Sequence, residues 1–224
     1  MQSVIVTGTS GNLGKAVAQK FFSEKYHVFG TVHKGDVFAV AKGGVIWEDI
    51  TVDLTDNEAT AVFMDTVLRK NKDTKAAVLT VGGFAMGNIE KTTAAGIQKM
   101  LQLNFYTAFH MAQPVWQHMM QRGTGRIYLV GSLPGEDTHR AKDMVAYGLS
   151  KSLLFQLANV LNASNDNKDV ITKVVVPNII NTPENKKAMP DADTSGWTEP
   201  ATIADIIYAD CINAVDNGKR KIHV

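Results

Sequence analysis

The stretch Val4–Gly14 reads VIVTGTSGNLG, an apolar strand pattern that runs straight into Gly8, Gly11 and Gly14. Glycine permits a tight turn and removes the side chains that would block a pyrophosphate, and the helix predicted behind the turn offers free N–H groups. A turn that serves structure alone is the alternative, but the strand–turn–helix context is the one that dinucleotide binding requires. The residues predicted to line this site are Gly8, Ser10, Asn12, Leu13 and Gly14.

Outward from this stretch, apolar strand patterns alternate with helical patterns along the whole chain. The predicted strands are Val4–Thr7, His27–Val32, Ile46–Val52, Ala76–Val81, Arg126–Gly131, Ile171–Val176 and Arg220–Val224. The predicted helices follow Gly11 and Asp56 and span about Thr93–Gln121, Met144–Leu161 and Pro200–Val215. Continuous apolar strands separated by helices indicate a parallel sheet covered on both faces. We therefore predict an α/β protein over residues 1–224, a single-domain Rossmann fold with a doubly wound parallel sheet of about seven strands.

The composition favours a small molecule as the partner. Hydrophobic residues make up 45% of the 224 positions, which argues against disorder. The 23 Lys and Arg residues nearly balance the 22 Asp and Glu residues, without the basic excess of a nucleic-acid-binding protein. Cys211 is the single cysteine, and no His/Cys/Asp cluster has the spacing of metal ligands. With no signal-like N-terminus and no apolar run of roughly 18 residues, we expect a cytoplasmic protein without membrane or metal.

A second candidate site is the segment Tyr147–Lys151, which reads YGLSK. Four residues apart on a helix, the phenol and the ammonium lie on one face. A free tyrosine titrates near pH ~10, and a nearby ammonium favours the phenolate and lowers the pKa. A surface Tyr/Lys pair without chemistry is the alternative. The pairing indicates an acid–base group suited to neutral pH.

These two motifs and their separation resemble those of the short-chain dehydrogenase/reductase family. Further matches cover almost the whole chain and are Asp53 in VDLT, Val81-Gly82-Gly83, Asn104, the strand from Gly125 to Ser132, and the segment from Pro177 to Thr182. The last segment departs from the family pattern, because Asn178 replaces a glycine. Ser132 also lies 15 residues before Tyr147, slightly more than the family pattern suggests.

The resemblance implies a role for each of these residues. Tyr147 would exchange a proton with the substrate, and Lys151 would bind the nicotinamide ribose and lower the pKa of the phenol. Ser132 would orient the substrate, and Asn104 would support a water path behind Lys151. Two alternatives stay open, a backbone-capping role for Ser132 and simple helix packing for Asn104. The resemblance further implies cofactor contacts at Asp53, Gly82, Gly83, Pro177 and Thr182.

Within the family, three stretches resemble the dihydropteridine reductase branch. They are Gly8–Gly14, the loop from Val81 to Asn88, which reads VGGFAMGN, and the long loop from Asn181 to Thr198. Three features depart from that branch. The branch lacks the serine found here at Ser132, it has an aspartate where this chain reads Val32-His33-Lys34, and its C-terminal tail is longer.

We therefore expect an NAD(P)H-dependent reductase of a small planar substrate, with quinonoid dihydropteridine favoured. A general carbonyl reductase and a non-catalytic module that senses the cofactor are the alternatives. Phe84 and Trp197 are the candidate substrate residues, since each offers a flat apolar face. His33 and Lys34 favour NADP(H) over NAD(H), because a basic residue after the second strand suits a 2′-phosphate, whereas an acid repels it. The nearest acid is Asp36.

Two further expectations concern the long loop and the assembly. The stretch 177–199 contains three prolines and little periodicity, which is typical of a lid over an active site, with a surface excursion as the alternative. The resemblance implies a homodimer or homotetramer built on the fourth and fifth helices. A leucine stripe at i, i+4 spacing could serve that interface or the monomer core; it consists of Leu149, Leu153, Leu157 and Leu161.

Overall fold

The computed structural model describes residues 1–34, 37–213 and 218–224. Eight strands form one sheet; they are β1 (Ser3–Thr7), β2 (His27–Val32), β3 (Ala39–Lys42), β4 (Val45–Thr51), β5 (Thr74–Leu79), β6 (Thr124–Val130), β7 (Asp169–Val176) and β8 (Lys221–His223). Their order across the sheet is β3-β4-β2-β1-β5-β6-β7-β8. The order reverses between β1 and β5, which creates the crevice where open α/β sheets bind ligands. The α/β Rossmann fold predicted from the sequence is confirmed.

Helices cover both faces of this sheet. They are α1 (Asn12–Ser23), α2 (Asn57–Lys70), α3 (Ala94–Met100), α4 (Thr107–Arg122), α5 (Leu133–Glu136), α6 (Val145–Ala163), α7 (Pro183–Ala188) and α8 (Pro200–Ile212). One core lies under α1 and α8, and the other lies under α2, α4 and α6. The predicted end of the last helix at Val215 lies outside the described residues, as does Asp36.

The sheet has one strand more than the seven expected. β3 is antiparallel to β4, whereas the other strand pairs are parallel. Gly43 and Gly44 join the two strands with φ values of 60° and 83°, the left-handed backbone that a two-residue hairpin turn requires. The sequence prediction missed β3 because it is short and mostly exposed, although the Gly-Gly pair is a hairpin signal.

The helix predicted over Thr93–Gln121 is not uniform. A π-helical turn, Leu101–Tyr106, separates α3 from α4, and such turns are frequent at functional sites. Apolar periodicity cannot reveal this turn, because the helix continues on both sides of it.

The predicted loop after β7 also contains regular structure. Thr182 accepts a hydrogen bond from Asn185 N as the N-cap of α7, and Pro183 occupies the first turn, where its missing N–H costs nothing. A β-bridge between Ile180 and Thr198 closes the base of the loop. The excursion is therefore anchored at its base and carries a short helix.

Candidate active site

The glycine-rich turn between β1 and α1 forms an open cradle. Gly8 adopts a φ of 70°, and a Cβ on Gly14 would lie 2.2 Å from Gly8 O. Helix α1 begins after Gly11, which offers no side chain to cap its N–H groups. The cradle therefore fits a dinucleotide, whose pyrophosphate would meet uncapped N–H groups and the positive end of the helix.

The predicted residues of this turn divide into two kinds. Ser10 and Asn12 are exposed at the cradle, whereas Leu13 is buried in the core under α1. Leu13 can therefore meet a cofactor only through its backbone. The Asn12 side chain donates to Glu184 Oε2 at 2.7 Å, and this bond joins the cradle to helix α7 of the late loop.

Tyr147 and Lys151 lie one turn apart on α6, as predicted. Lys151 Nζ donates to Val130 O at 2.7 Å, and burial lowers the pKa of Lys151 to about 8. Burial also raises the pKa of the Tyr147 phenol, and the nearby Ser132 hydroxyl opposes that effect. Desolvation outweighs the influence of Ser132, so the pKa of Tyr147 is raised overall, and Lys151 is not among the causes of the shift.

Ser132 is buried at the end of β6, within hydrogen-bonding reach of Tyr147. Its hydroxyl also accepts from Gly135 N at 3.2 Å as the N-cap of α5. The backbone-capping role and the contact with the phenol thus coexist. The longer separation along the chain does not keep the two hydroxyls apart, because α5 occupies part of the intervening segment.

Asn104 is completely buried in the π-helical turn and bonds both backbone groups of Gly83. Its Oδ1 accepts from Gly83 N at 2.8 Å, and its Nδ2 donates to Gly83 O at 3.0 Å and to Ser150 Oγ at 2.9 Å. Ser150 in turn donates to Tyr147 O at 2.8 Å. Simple helix packing is therefore wrong for Asn104, which ties the loop after β5 to α6. Ser150 was missed by sequence reasoning, although it lies within the YGLSK segment.

Gly82 lies between the two buried polar groups of the site. A Cβ at this position would lie 2.6 Å from Asn104 Oδ1 and 3.1 Å from Lys151 Nζ. The absence of a side chain therefore leaves room beside the ammonium. The fold brings Ser132, Tyr147, Lys151 and Asn104 together at the carboxyl ends of β5 and β6.

Three further predicted cofactor residues, His33, Lys34 and Asp53, lie at the end of β2 and after β4. Asp53 Oδ1 accepts from the backbone N and the hydroxyl of Thr55, and these bonds hold the pKa of Asp53 below its usual range. The charges of His33 and Lys34 act in the same direction to a smaller extent. All three predicted residues are exposed and lie close enough to interact.

The two aromatic candidates for the substrate site are not brought into contact. Phe84 packs its ring against Tyr147, with centroids 5.0 Å apart and planes at 72°. Trp197 is half-buried and bonds Thr194 O through its backbone. Among the described residues, no ring contact joins Phe84 to Trp197. Pro177 is buried directly after β7, and Thr182 uses its hydroxyl to cap α7.

The described residues contain no group of three or more His, Cys, Asp or Glu side chains that could hold a metal ion. Over those same residues, no helix combines the length and hydropathy needed to cross a membrane. The groups that the fold brings to this edge of the sheet are the phenol, the ammonium, the serine hydroxyl and the glycine-rich cradle. This fold and this site define a dinucleotide-binding oxidoreductase of the Rossmann class.

Comparison with known proteins identifies the family. The chain belongs to the short-chain dehydrogenase family, whose pattern matches residues 2–193. The family binds NAD(P), and membership confirms the predicted oxidoreductase. Membership in this family favours an enzyme over a module that senses the cofactor without turnover.

Relatives of known activity lie at low identity. The dihydropteridine reductase of Dictyostelium discoideum is 22% identical over 210 residues, which cover 92% of this chain and 86% of that protein. The 3-oxoacyl-(acyl-carrier-protein) reductase MabA of Mycobacterium bovis is 25% identical over 181 residues, which cover 81% and 70%. A solved structure of ElxO with NADP bound has a TM-score of 0.86 at 18% identity, covering 100% of this chain and 96% of that one. The similarity to ElxO shows the fold alone.

Proposed function

We propose that this protein is an NAD(P)H-dependent reductase of a small planar substrate, and that quinonoid dihydropteridine is the substrate. The observation that carries the proposal is the contact between Phe84 and Tyr147. Phe84 is 59% exposed, so an apolar ring surface remains open beside the proton donor. A flat bicyclic ring stacks on such a surface at centroid distances of roughly 4.5–7 Å.

The late loop and the similarity to dihydropteridine reductase support the same substrate. The segment from Asn181 to Trp197 leaves the carboxyl end of β7, at the edge where doubly wound folds bind ligands. Its helix α7 meets the cradle through the bond between Glu184 and Asn12. We propose that residues 177–199 form a lid and that Trp197 offers a second flat face to the substrate.

The proton in this reaction would come from Tyr147. The phenol is protonated at neutral pH, because its ordinary pKa is about 10 and burial raises it further, and this suits a group that donates a proton. When bound, the reduced dinucleotide supplies the hydride, so substrate reduction consumes one hydride and one proton. Lys151 would hold the nicotinamide ribose. Asn104 and Ser150 would fix the position of the Gly83 loop relative to Tyr147 through their hydrogen bonds.

The experiment that tests this substrate supplies quinonoid dihydropterin and a set of small ketones with NADPH and compares kcat/KM. The pterin is expected to exceed the best ketone. A pterin that performs no better than that ketone contradicts the proposal. Phe84→Leu and Phe84→Tyr form a matched pair, because only the second keeps a flat ring. Phe84→Leu should cost the pterin more than any ketone, whereas Phe84→Tyr should retain most of the pterin activity.

Carbonyl reduction is the second candidate, and the position of the buried Ser132 hydroxyl, close enough to the Tyr147 phenol to oppose the rise of its pKa, favours it. A serine hydroxyl beside the proton donor can orient a carbonyl oxygen for reduction. The similarity to a 3-oxoacyl-(acyl-carrier-protein) reductase supports the same chemistry. A ketone with the higher kcat/KM in the comparison above would establish this candidate instead.

We further propose that NADP(H) is preferred over NAD(H). Lys34 and His33 are exposed after β2 and lie within electrostatic reach of Asp53. Basic groups at this position attract a 2′-phosphate. The cofactor that gives the lower KM in the wild-type protein decides this point.

A homodimer or homotetramer and a cytoplasmic location complete the proposal. Along the predicted leucine stripe, Leu149 is 50% exposed and Leu157 is buried. The stripe therefore contributes to the core at one end and leaves an apolar surface at the other, where a second subunit could pack. Light scattering of the purified protein would determine the assembly.

A further inference from the structure

The buried carboxylate of Asp49 has no part in the site described so far. It lies on β4 and is 5% exposed, on the sheet face that packs against α1. Its Oδ1 accepts from Thr9 Oγ1 at 2.7 Å and from Trp47 Nε1 at 2.9 Å. A buried carboxylate is costly unless it is paired or hydrogen-bonded. These two donors bind one oxygen of the Asp49 carboxylate, and one of them comes from the cofactor cradle.

Thr9 is the residue that follows Gly8 in the cradle, and it is 3% exposed. Its hydroxyl lies 3.3 Å from Thr31 O in addition to the bond with Asp49, and its backbone N donates to the same Thr31 O at 3.0 Å. Gly8 N donates to Thr31 Oγ1 at 3.2 Å. The first part of the turn is therefore hydrogen-bonded to Thr31 on β2. The Thr9 hydroxyl also bonds Asp49 on β4.

Gly30 on β2 provides the space that Asp49 occupies. A Cβ at this position would lie 1.9 Å from Asp49 Oδ1 and 2.7 Å from the Thr9 methyl group. A glycine inside a strand often marks such a close approach. Gly30 was therefore a sequence signal for this cluster, although the identity of its partner required the three-dimensional structure.

The segment just before β3, the strand that sequence reasoning missed, also supports Asp49. Asp49 N donates to Phe38 O at 2.8 Å, and the Phe38 ring packs against Trp47 with centroids 4.7 Å apart. The carboxylate is thus fixed by the segment before β3 and by its own strand. It can act on the cradle as a rigid acceptor.

We infer that Asp49 is a positioning residue for the dinucleotide, which it serves through Thr9 by holding the glycine-rich turn in its binding-competent form. A turn that samples other conformations binds more weakly, in proportion to the fraction of molecules that stay competent. The inference depends on dinucleotide binding by the family and is independent of the substrate. It predicts a loss that is shared by NADPH and NADH, because the turn meets the part common to both.

The test measures dissociation constants for NADPH and NADH by calorimetry, together with the melting temperature of each free protein. Asp49→Ala and Thr9→Val should each weaken both cofactors by about tenfold or more, as expected for a hydrogen bond to a charged group. Asp49→Asn keeps an oxygen that can accept from Thr9 and Trp47, so it should restore near-normal affinity. In turnover assays the KM for cofactor should rise while kcat changes little.

Tyr128→Phe is the matched control, since Tyr128 also donates a buried hydroxyl to a carboxylate, at 2.8 Å from Asp210 Oδ2. It should lower the melting temperature without changing either dissociation constant. A Thr9→Val protein that melts earlier but binds both cofactors normally overturns the inference. A strong gain in NADPH affinity alone for Asp49→Asn also overturns it, because Asp49 would then act by its charge. Should Asp49→Ala not fold, Thr9→Val and Asp49→Asn still decide the outcome.

Discussion

The Ser132 hydroxyl acts on the Tyr147 phenol although the two residues belong to different parts of the chain, the segment just after β6 and helix α6. Burial of the phenol raises the pKa of Tyr147, and the Ser132 hydroxyl opposes the rise. Burial is the larger of these two influences.

Removal of the phenolic hydroxyl should abolish most of the proton transfer. Positioned acid–base catalysis contributes about 10²–10⁴-fold in rate, so Tyr147→Phe should lower kcat by that range while the dissociation constant for cofactor changes little. Tyr208→Phe, which removes a hydroxyl bonded to Glu24 on the other face of the sheet, should leave kcat unchanged. Near-normal turnover by Tyr147→Phe with ketones would remove Tyr147 from the mechanism.

Ser132→Ala should separate the two candidate substrates. A carbonyl substrate loses an orienting donor, so we expect its kcat/KM to fall by about tenfold or more, the usual effect of losing one such hydrogen bond. A quinonoid substrate is already reactive and should lose less. Steady-state assays with both substrates measure the split, and an equal loss for the two would show that the hydroxyl acts only through the pKa of Tyr147.

Asn104→Ala should damage both stability and turnover, because it leaves the N–H and the carbonyl of Gly83 without their buried partner. Each backbone group that loses its partner lowers the free energy of unfolding by about 1–3 kcal/mol. Asn162→Ala is the matched control, since Asn162 accepts from Thr172 N and donates to Thr172 O, each at 2.8 Å. Both variants should melt earlier, but only Asn104→Ala should lower kcat. Equal kcat values in the two variants would reduce Asn104 to a structural role.

Lys151 should make stability depend on pH in an unusual direction. Burial lowers its pKa from 10.5 to about 8, so between these values the unfolded chain binds more protons and stability rises with pH. Burying the charged ammonium lowers the free energy of unfolding by an amount on the order of 3 kcal/mol, and this loss is fully present below about pH 8. Lys151→Met should therefore gain stability relative to the wild type near neutrality, and the difference should shrink toward pH 10.5.

Lys168→Met is the control for this effect, because Lys168 donates to Met120 O at 2.8 Å but is exposed. Urea denaturation at several pH values measures the differences. The loss of the bond to Val130 O works against the gain in Lys151→Met, so the slope with pH is the informative quantity. The free energy of unfolding of each variant relative to the wild type is plotted against pH. If this difference has the same slope for Lys151→Met as for Lys168→Met, the proposed effect of burial is contradicted.

Lys34→Ala should raise the KM for NADPH by one to two powers of ten and leave that for NADH nearly unchanged, since a charge-assisted bond contributes about 1.5–3 kcal/mol. Lys42→Ala removes an exposed lysine from β3 and should affect neither cofactor. A wild-type protein that prefers NADH would refute the proposed preference outright.

Several features of this protein could be predicted from neighbouring residues alone. Backbone conformation determines the glycine-rich turn. Periods of two or 3.6 residues determine the alternation of strands and helices and the pairing of Tyr147 with Lys151. Such local rules act within a few residues of the chain. They were sufficient for the Rossmann fold and for the class of chemistry.

Tertiary structure decided what local patterns cannot encode. The pKa of Tyr147 is raised chiefly by desolvation of the phenol, which depends on how the surrounding elements pack. Asn104 met Gly83 only because a π-helical turn points its amide toward the loop after β5, and Asp49 met Thr9 across 40 positions of sequence. Desolvation and long-range hydrogen bonds arise when distant segments pack together, so their effects on the site become visible only in the folded protein.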